Sequence, residues 1–215
     1  MVEEFGVFLR EARQATCLVD IGACHGLFTL SFLAQDSSRK SVAVEPSPRA
    51  LEVLRQQLAL NGVSEVVVVP HALGRAQGTV PMVYEWHHLV TVGAKGHADE
   101  ERPEVVEVEP LDDLCDRLAL APDLIKIDVE GSEYDVLVGG ERTLIDHRPV
   151  LMLETHPREL DRLGSSVEDV VRFLDKRGYK AVNGRRQLCR PSTVVSRSRV
   201  SRSCWVPARP VSREQ

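Results

Sequence analysis

The chain has 215 residues, of which 43% are hydrophobic and 27% are charged, the balance of an ordinary folded domain. Its longest apolar runs, such as Val66–Val69, are too short for a membrane-spanning helix. The acidic N-terminus lacks the basic and apolar regions of a secretory signal. Five cysteines at irregular spacings predict neither a disulfide framework nor a zinc site. We therefore expect one cytoplasmic domain without membrane contact.

Charge is distributed unevenly along the chain. The net charge is −5, yet residues 185–215 hold eight arginines and one glutamate, a net +7, which leaves −12 for the other 184 residues. An acidic domain with a basic arm is one pattern of nucleic-acid-binding proteins. Here Ser203–Val206 predicts a final strand that returns antiparallel to the sheet edge, and no aromatic residue interleaves the arginines of 194–202. The basic segment is therefore predicted to belong to the fold, and nucleic acid is not a predicted partner.

Short apolar runs alternate with helical patterns through the first 180 residues. The predicted strands are Cys17–Ile21, Ser41–Glu45, Val66–Val69, Leu124–Asp128, Pro149–Glu154 and Tyr179–Val182. Continuous apolar strands separated by helices indicate a parallel sheet that is covered on both faces. The predicted fold class is α/β, Rossmann-like and doubly wound, with a mostly parallel sheet and an antiparallel final strand.

Two helix starts carry explicit signals. Ser47 and Pro48 occupy the N-cap and first helical positions of the helix after the second strand. The segment Ser165–Glu168 matches a capping box and predicts the start of the last helix.

Two further strands, Thr79–Trp86 and Glu104–Glu109, stand apart from this alternation. The polar stretch 87–103 between them is long for a compact domain, and such loops are usually functional or disordered, so it is a candidate lid. Trp86, His87 and His88 at its start are either substrate contacts or a polar loop edge. The predicted division is a helical extension at 1–15, the main domain at 16–207 and a flexible tail at 208–215.

A glycine loop follows the first strand and opens a helix. Gly22 and Gly26 let the backbone turn tightly and let a ligand approach the main chain. Glu45 ends the second strand, where a carboxylate can accept hydrogen bonds from both hydroxyls of a ribose. The loop lacks the third glycine of the dinucleotide fingerprint, so adenosine attached to a small charged group fits better. The predicted cofactor is S-adenosyl-L-methionine.

Longer motifs resemble one family. The segment Val19–Thr29 resembles the cofactor loop of class I S-adenosylmethionine-dependent methyltransferases. The segments Asp123–Glu133 and Leu151–Pro157 are similar to the FkbM family in particular. The resemblance covers about residues 17–182. Cys24 departs from the family pattern, which usually has Asn at this position.

The resemblance implies an enzyme that transfers a methyl group from S-adenosylmethionine to an oxygen, a hydroxyl on a sugar or other small natural product. It also implies that the adenine edge is met near His71–Gly74. The expected cofactor-binding residues are Asp20, Gly22, Ala23, Gly26, Glu45, Pro46, Ala72 and Asp128.

Polar side chains end the fourth and fifth strands. Asp128 and Glu130 are two residues apart, as are Glu154 and His156, and side chains at this spacing share one face of a strand. Because neighbouring parallel strands end at the same edge of the sheet, we expect these four groups to surround the opening of one site. The predicted catalytic residues are Asp128, Glu154 and His156.

Three interpretations of these groups remain open. Glu130 and Glu133 can cap the helix at Ser132, which we favour for Glu133. Asp128 or His156 can remove the proton of the acceptor hydroxyl. Asp128, Glu154 and His156 can instead bind a divalent ion, but no ligand spacing demands one, so no metal is predicted.

Two other functions are compatible with parts of the sequence. A non-catalytic S-adenosylmethionine-binding module is compatible with the substituted Cys24. An N-methyltransferase of nucleic acid or protein would carry an aromatic or amide-rich motif after the fourth strand, and Asp128–Gly131 stands there instead. The partner we expect is therefore a small-molecule hydroxyl acceptor.

Overall fold

The computed structural model describes residues 2–85, 88–91, 103–182 and 201–208. In chain order the elements are α1 (Val2–Ala12), β1 (Cys17–Ile21), α2 (Leu27–Leu33), β2 (Lys40–Val44), α3 (Pro48–Leu60), β3 (Val67–Val69), β4 (Ala72–Leu73), β5 (Gly78–Glu85), β6 (His88–Thr91), β7 (Glu104–Glu109), α4 (Leu111–Arg117), β8 (Leu124–Ile127), α5 (Glu133–Gly139), α6 (Glu141–Asp146), β9 (Val150–Thr155), α7 (Pro157–Arg162), α8 (Val167–Lys176), β10 (Tyr179–Val182) and β11 (Ser201–Pro207).

Seven strands form the main sheet in the order β10-β11-β9-β8-β1-β2-β3. The pairs β9–β8, β8–β1, β1–β2 and β2–β3 are all parallel. Both faces are buried, because Leu18 packs in a cluster with residues of α1 and α2, whereas Val19 belongs to the cluster that α4, α5 and α8 cover. The predicted α/β, Rossmann-like, mostly parallel architecture is confirmed.

The final strand is antiparallel, as predicted. β11 lies between β9 and β10 and pairs antiparallel with both, so β10 forms the edge of the sheet. A β-strand pattern alone does not show that this returning strand inserts between β9 and β10. The connection at 183–200 and the predicted tail beyond Ala208 lie outside the described residues.

A second sheet has the order β4-β7-β5-β6. β5 and β7 correspond to the two additional strands of the sequence analysis, and β5 pairs antiparallel with both β7 and β6. β6 was not predicted, since its four residues are too few to show a clear alternation. Trp86, His87 and most of the candidate lid, residues 92–102, lie outside the described residues.

Serine side chains cap two helices. Ser47 accepts a hydrogen bond from the backbone N–H of Ala50 at 3.3 Å, which confirms the predicted start of α3. At α8 the capping serine is Ser166, which accepts from the backbone N–H of Asp169 at 3.2 Å and donates to its carboxylate at 2.6 Å. The reciprocal pair is thus one residue later than the predicted Ser165–Glu168 box.

The N-terminal helix α1 packs against the sheet. Phe8 is fully buried, and its ring lies 4.8 Å from that of Phe28 in an edge-to-face contact. The residues predicted as a helical extension therefore contribute to the core. Among the residues that the structure describes, no helix combines the length and apolar character needed to cross a membrane.

Two helical glycines are predicted to respond oppositely to alanine. A β-carbon at Gly139 would lie 2.0 Å from the carbonyl oxygen of Gly74, whereas at Gly6 in α1 nothing lies within 4 Å. Gly139→Ala should therefore destabilise the fold by about 1–3 kcal/mol through overpacking. Gly6→Ala should stabilise it by about 0.5–1 kcal/mol through helix propensity. Urea unfolding measures both, and equal effects would contradict the close approach of α5 to Gly74.

Candidate active site

A cavity opens at the carboxyl ends of β1, β2 and β8, the edge at which doubly wound sheets bind ligands. Its volume is about 430 Å³, within the range of small-molecule sites. Five of the predicted cofactor-binding residues line it: Gly22, Glu45, Pro46, Ala72 and Asp128.

The glycine loop lies directly on the end of β8. Gly22 has a φ of +74°, and its N–H and that of Ala23 both donate to the carbonyl of Val44, at 2.9 Å and 3.0 Å. A β-carbon at Gly22 would lie 1.8 Å from the carbonyl oxygen of Asp128. Only glycine fits here, so the loop and the end of β8 share one wall of the cavity.

Glu45 is held by the backbone at the end of β2. One carboxylate oxygen accepts from the N–H of Cys24 at 2.8 Å and the other from the N–H of Ser47 at 2.9 Å. Burial raises the pKa of Glu45, and these two donors oppose the rise. Each oxygen keeps a further lone pair for a donor in the cavity. A fixed carboxylate with two free acceptor directions suits a ribose diol.

Three predicted cofactor-binding residues do not line the cavity but support the loop. Asp20 is fully buried and accepts from the N–H and hydroxyl of Thr29, at 3.1 Å and 2.8 Å. Ala23 is buried in the cluster beneath α3. Gly26 has a φ of +83°, and a β-carbon there would lie 2.5 Å from the Leu54 side chain. Their positions fix the shape of the loop rather than its exposed surface.

Lys126 joins the loop to β8. It is buried, and its ammonium lies 2.6 Å from the carbonyl oxygen of Gly22. Carboxylate oxygens of Asp20 and Asp128 lie 3.6 Å and 3.7 Å from the same nitrogen. One buried cation thus contacts the loop, its supporting aspartate and the cavity-lining aspartate.

The four polar groups at the ends of β8 and β9 come together as predicted. The Nε2 atom of His156 lies 3.6 Å from Glu130, 3.8 Å from Asp128 and 3.9 Å from Glu154. Asp128 and Glu130 line the cavity, whereas His156 and Glu154 do not. Of the three predicted catalytic residues, Asp128 alone therefore reaches the described cavity surface.

Glu133 occupies a position that the sequence analysis did not anticipate. It is fully buried, and Oε1 lies 2.7 Å from Nδ1 of His156 and accepts from the N–H of Gly131 at 3.0 Å. The sequence predicts a helix-capping role for Glu133, which accepts the backbone N–H of Gly131 just before α5, while the side chain of Ser132 at the N-cap makes no capping hydrogen bond. The available signal was the motif itself, in which an acidic residue five positions after Asp128 begins a helix.

The charge of His156 follows from its neighbours. Burial lowers the pKa of the imidazole, but the hydrogen bond and charge of Glu133, with the charges of Glu130 and Asp128, outweigh it and raise the pKa to about 9. Burial also raises the pKa of Glu133, opposed by His156. The pair therefore carries a proton at neutral pH. A ring that already holds its proton is a poor base, so this finding argues against the interpretation of His156 as the base.

The spacing of the cluster would also admit a divalent ion. Ligand atoms of Asp128, Glu130 and His156 lie within 4.8 Å of one another, so Glu130 takes the place that we had considered for Glu154. The sequence predicts no metal here, and acidic groups commonly lie this close together without one.

The far side of the cavity is built by the segment after β3. His71 lines the cavity, and its ring nitrogens lie 3.1 Å from Glu107 and 3.3 Å from Glu109. Arg75 pairs with Asp135 of α5 at 2.7 Å. These contacts fix the segment that includes Ala72, the residue expected at the adenine edge.

Comparison with known proteins agrees with this geometry. The model of the methyltransferase FkbM domain matches residues 20–181. The chain belongs to the FkbM methyltransferase family. The match includes the glycine loop, Glu45, the end of β8 and the end of β9.

Individual relatives of this FkbM chain share only modest sequence identity with it. Methyltransferase sdnD of Sordaria araneosa is 31% identical over 57% of this chain and 59% of that protein. A methyltransferase FkbM structure from Methylobacillus flagellatus KT has a TM-score of 0.57 at 22% identity, covering 89% of this chain and 43% of that one. An rRNA methylase structure from Streptococcus thermophilus has a TM-score of 0.54 at 13% identity, covering 95% of both chains. This chain thus spans little more than half of sdnD, and the structural likenesses show the fold alone.

The backbone conformation at position 24 suits Asn, the residue that the family resemblance leads us to expect there. Cys24 has a φ of +49°, the left-handed region, which Asn tolerates better than Cys. Cys24→Asn should therefore stabilise the fold by on the order of 1 kcal/mol, measured by urea unfolding. Cys24→Val, which is β-branched, should destabilise it. If Asn stabilised no more than Val, strain at this position would not be the reason for the preference.

Proposed function

We propose that this chain transfers a methyl group from S-adenosylmethionine to a hydroxyl oxygen of a small molecule, a sugar or other natural product. The supporting observation is one cavity whose lining includes both Glu45 and Asp128. The bound cofactor supplies a methyl group on a cationic sulfur, which is already activated for transfer. The chain has two remaining tasks, to align the acceptor and to take its proton.

Residues of the cofactor end fit such a molecule. Gly22 lines the cavity, and Glu45 offers acceptors to a ribose diol. Pro46 and Ala72 add small apolar surface beside them. The carboxylates of Glu45, Asp128 and Glu130 give the cavity an acidic lining, which favours a cationic sulfur.

Asp128 is the proposed proton acceptor. Its side chain is 30% exposed, lines the cavity and lies between two buried cationic groups, Lys126 at 3.7 Å and His156 at 3.8 Å. The acceptor oxygen gains the methyl carbon and loses its proton to Asp128. The bond from that carbon to sulfur breaks, and its electrons stay on the sulfur. Glu154 and His156 do not line the cavity: His156 lies next to Asp128, and Glu154 lies next to His156.

Cofactor binding tests the role of Glu45. Glu45→Ala removes the acceptor of two hydroxyl hydrogen bonds and should weaken S-adenosylmethionine affinity by about 10- to 100-fold, measured by calorimetry. Glu52→Ala, which removes an exposed glutamate of α3, serves as the matched control and should leave affinity unchanged. Unaltered affinity in Glu45→Ala, or no binding by the wild-type chain, would contradict the proposal.

Turnover tests the role of Asp128. Asp128→Asn keeps the size of the side chain and removes the proton acceptor, so kcat should fall by about 10²- to 10⁴-fold. The measurement is transfer of labelled methyl to a panel of glycosides, polyketides and nucleosides. Asp175→Asn, at an exposed ion pair of α8, is the matched control and should keep full turnover.

The pH profile separates Asp128 from His156. With Asp128 as the proton acceptor, the reaction does not require His156 to lose its proton, so kcat should stay level from pH 7 to 9. If His156 were the base, kcat would rise about tenfold per pH unit until its pKa near 9. Such a rise, or wild-type turnover in Asp128→Asn, would make the assignment wrong.

The same binding and transfer measurements, with RNA and protein added to the acceptor panel, distinguish the two alternative functions. Tight cofactor binding with no transfer to any acceptor would indicate a non-catalytic binding module. Stable label on nitrogen of RNA or protein would indicate a macromolecular N-methyltransferase. The hydroxyl proposal is favoured by the carboxylates at the acceptor end, which match the need to remove a proton.

A further inference from the structure

Glu133 is a buried acidic residue that has no direct contact with the cavity. It is fully buried at the first residue of α5 and does not line the cavity. Its Oε2 atom has no hydrogen-bond partner among the residues that the structure describes. Burying a carboxylate with one oxygen unsatisfied is unfavourable, and such groups in native folds call for an explanation.

The other oxygen of Glu133 makes two contacts. Oε1 lies 2.7 Å from Nδ1 of His156, at the end of β9, and accepts from the N–H of Gly131 at 3.0 Å, after β8. One buried atom therefore ties together the ends of two neighbouring strands. Since Nδ1 is engaged on this side, the ring must present Nε2 to the other side.

That other side is the carboxylate cluster. Nε2 lies 3.6 Å from Glu130 and 3.8 Å from Asp128, which both line the cavity, and 3.9 Å from Glu154. His156 itself is 4% exposed, so it acts on the cavity through these carboxylates. Lys126 also lies at this end, 3.7 Å from Asp128.

The backbone contact of Glu133 bears on Glu130 as well. Glu130 has a φ of +53° and Gly131 a φ of +113°, so the turn after β8 is in the left-handed region at both residues. A β-carbon at Gly131 would lie 2.6 Å from that of Glu159 in α7, which leaves little room for the turn to relax. The bond from Gly131 N–H to Glu133 holds this turn and with it the position of Glu130.

We propose that Glu133 is a positioning residue that acts through His156 and Gly131 to fix the orientation and charge of Asp128 and Glu130 at the acceptor end. The inference rests on the proposed function for its kinetic consequence. Its physical content, a charged imidazole held in one orientation by Glu133, does not depend on the identity of the acceptor.

The direct test is the titration of His156 by NMR in the protein without cofactor or acceptor. The groups that face the ring are Asp128, Glu130, Glu133 and Glu154. Glu133→Gln keeps the shape of the side chain and removes its charge, so the pKa of His156, about 9 in the wild type, should fall by about one unit or more. Glu133→Asp keeps the charge and should leave the pKa closer to that of the wild type, and Glu52→Gln should not change it.

The kinetic test separates positioning from stability. Glu133→Gln should lower kcat by about 10- to 100-fold, as loss of such a supporting partner typically does, while the affinity for S-adenosylmethionine stays within about twofold. If Glu133→Gln does not fold, Glu133→Asp provides the same two readouts and should show a smaller change in the same directions.

Two results would overturn the inference. One is a His156 pKa that is unchanged in both Glu133 variants. The other is a kcat that falls only in proportion to cofactor affinity, which would indicate a general structural role. Absence of cofactor binding by the wild type would remove the proposed function and leave the NMR test in force.

Discussion

The contact between Gly22 and the backbone of Asp128 determines how the site is built. The carbonyl oxygen of Asp128 occupies the space that any side chain at position 22 would need. The glycine loop therefore rests on the end of β8, and the surface expected to hold the cofactor adjoins the carboxylate expected to take the proton. Lys126 also stabilises this arrangement, because its ammonium contacts the carbonyl oxygen of Gly22. Cofactor and acceptor ends thus belong to one rigid unit, as a reaction that depends on alignment requires.

The acceptor end combines several carboxylates with one protonated imidazole. Four carboxylates, those of Asp128, Glu130, Glu133 and Glu154, surround one imidazole. The proton held by His156 and Glu133 reduces the mutual repulsion of these acids. In this account the histidine stabilises the base.

The sequence predicted the parts of the site that depend on strand ends. Glu45, Asp128 and His156 each follow a continuous apolar run, and topology alone brings such positions to one edge of a parallel sheet. How deeply each side chain is buried was not predictable in the same way. Asp20 and His156 look like cavity residues by spacing, yet both are buried beneath it, because the tight loop at Gly22 and the turn at Gly131 decide which side chains reach the surface. The motif marks Glu133 as an acid at the start of a helix, but it does not show the contact of Glu133 with His156, which is 23 residues away in sequence.

A crystal structure of the chain with S-adenosylhomocysteine tests the central claim most directly. The account predicts that the ligand occupies the cavity, with its ribose hydroxyls on the Glu45 carboxylate, its adenine beside Ala72 and its sulfur directed toward Asp128. A ligand bound elsewhere on the chain, or in this cavity with its ribose away from Glu45, would contradict it.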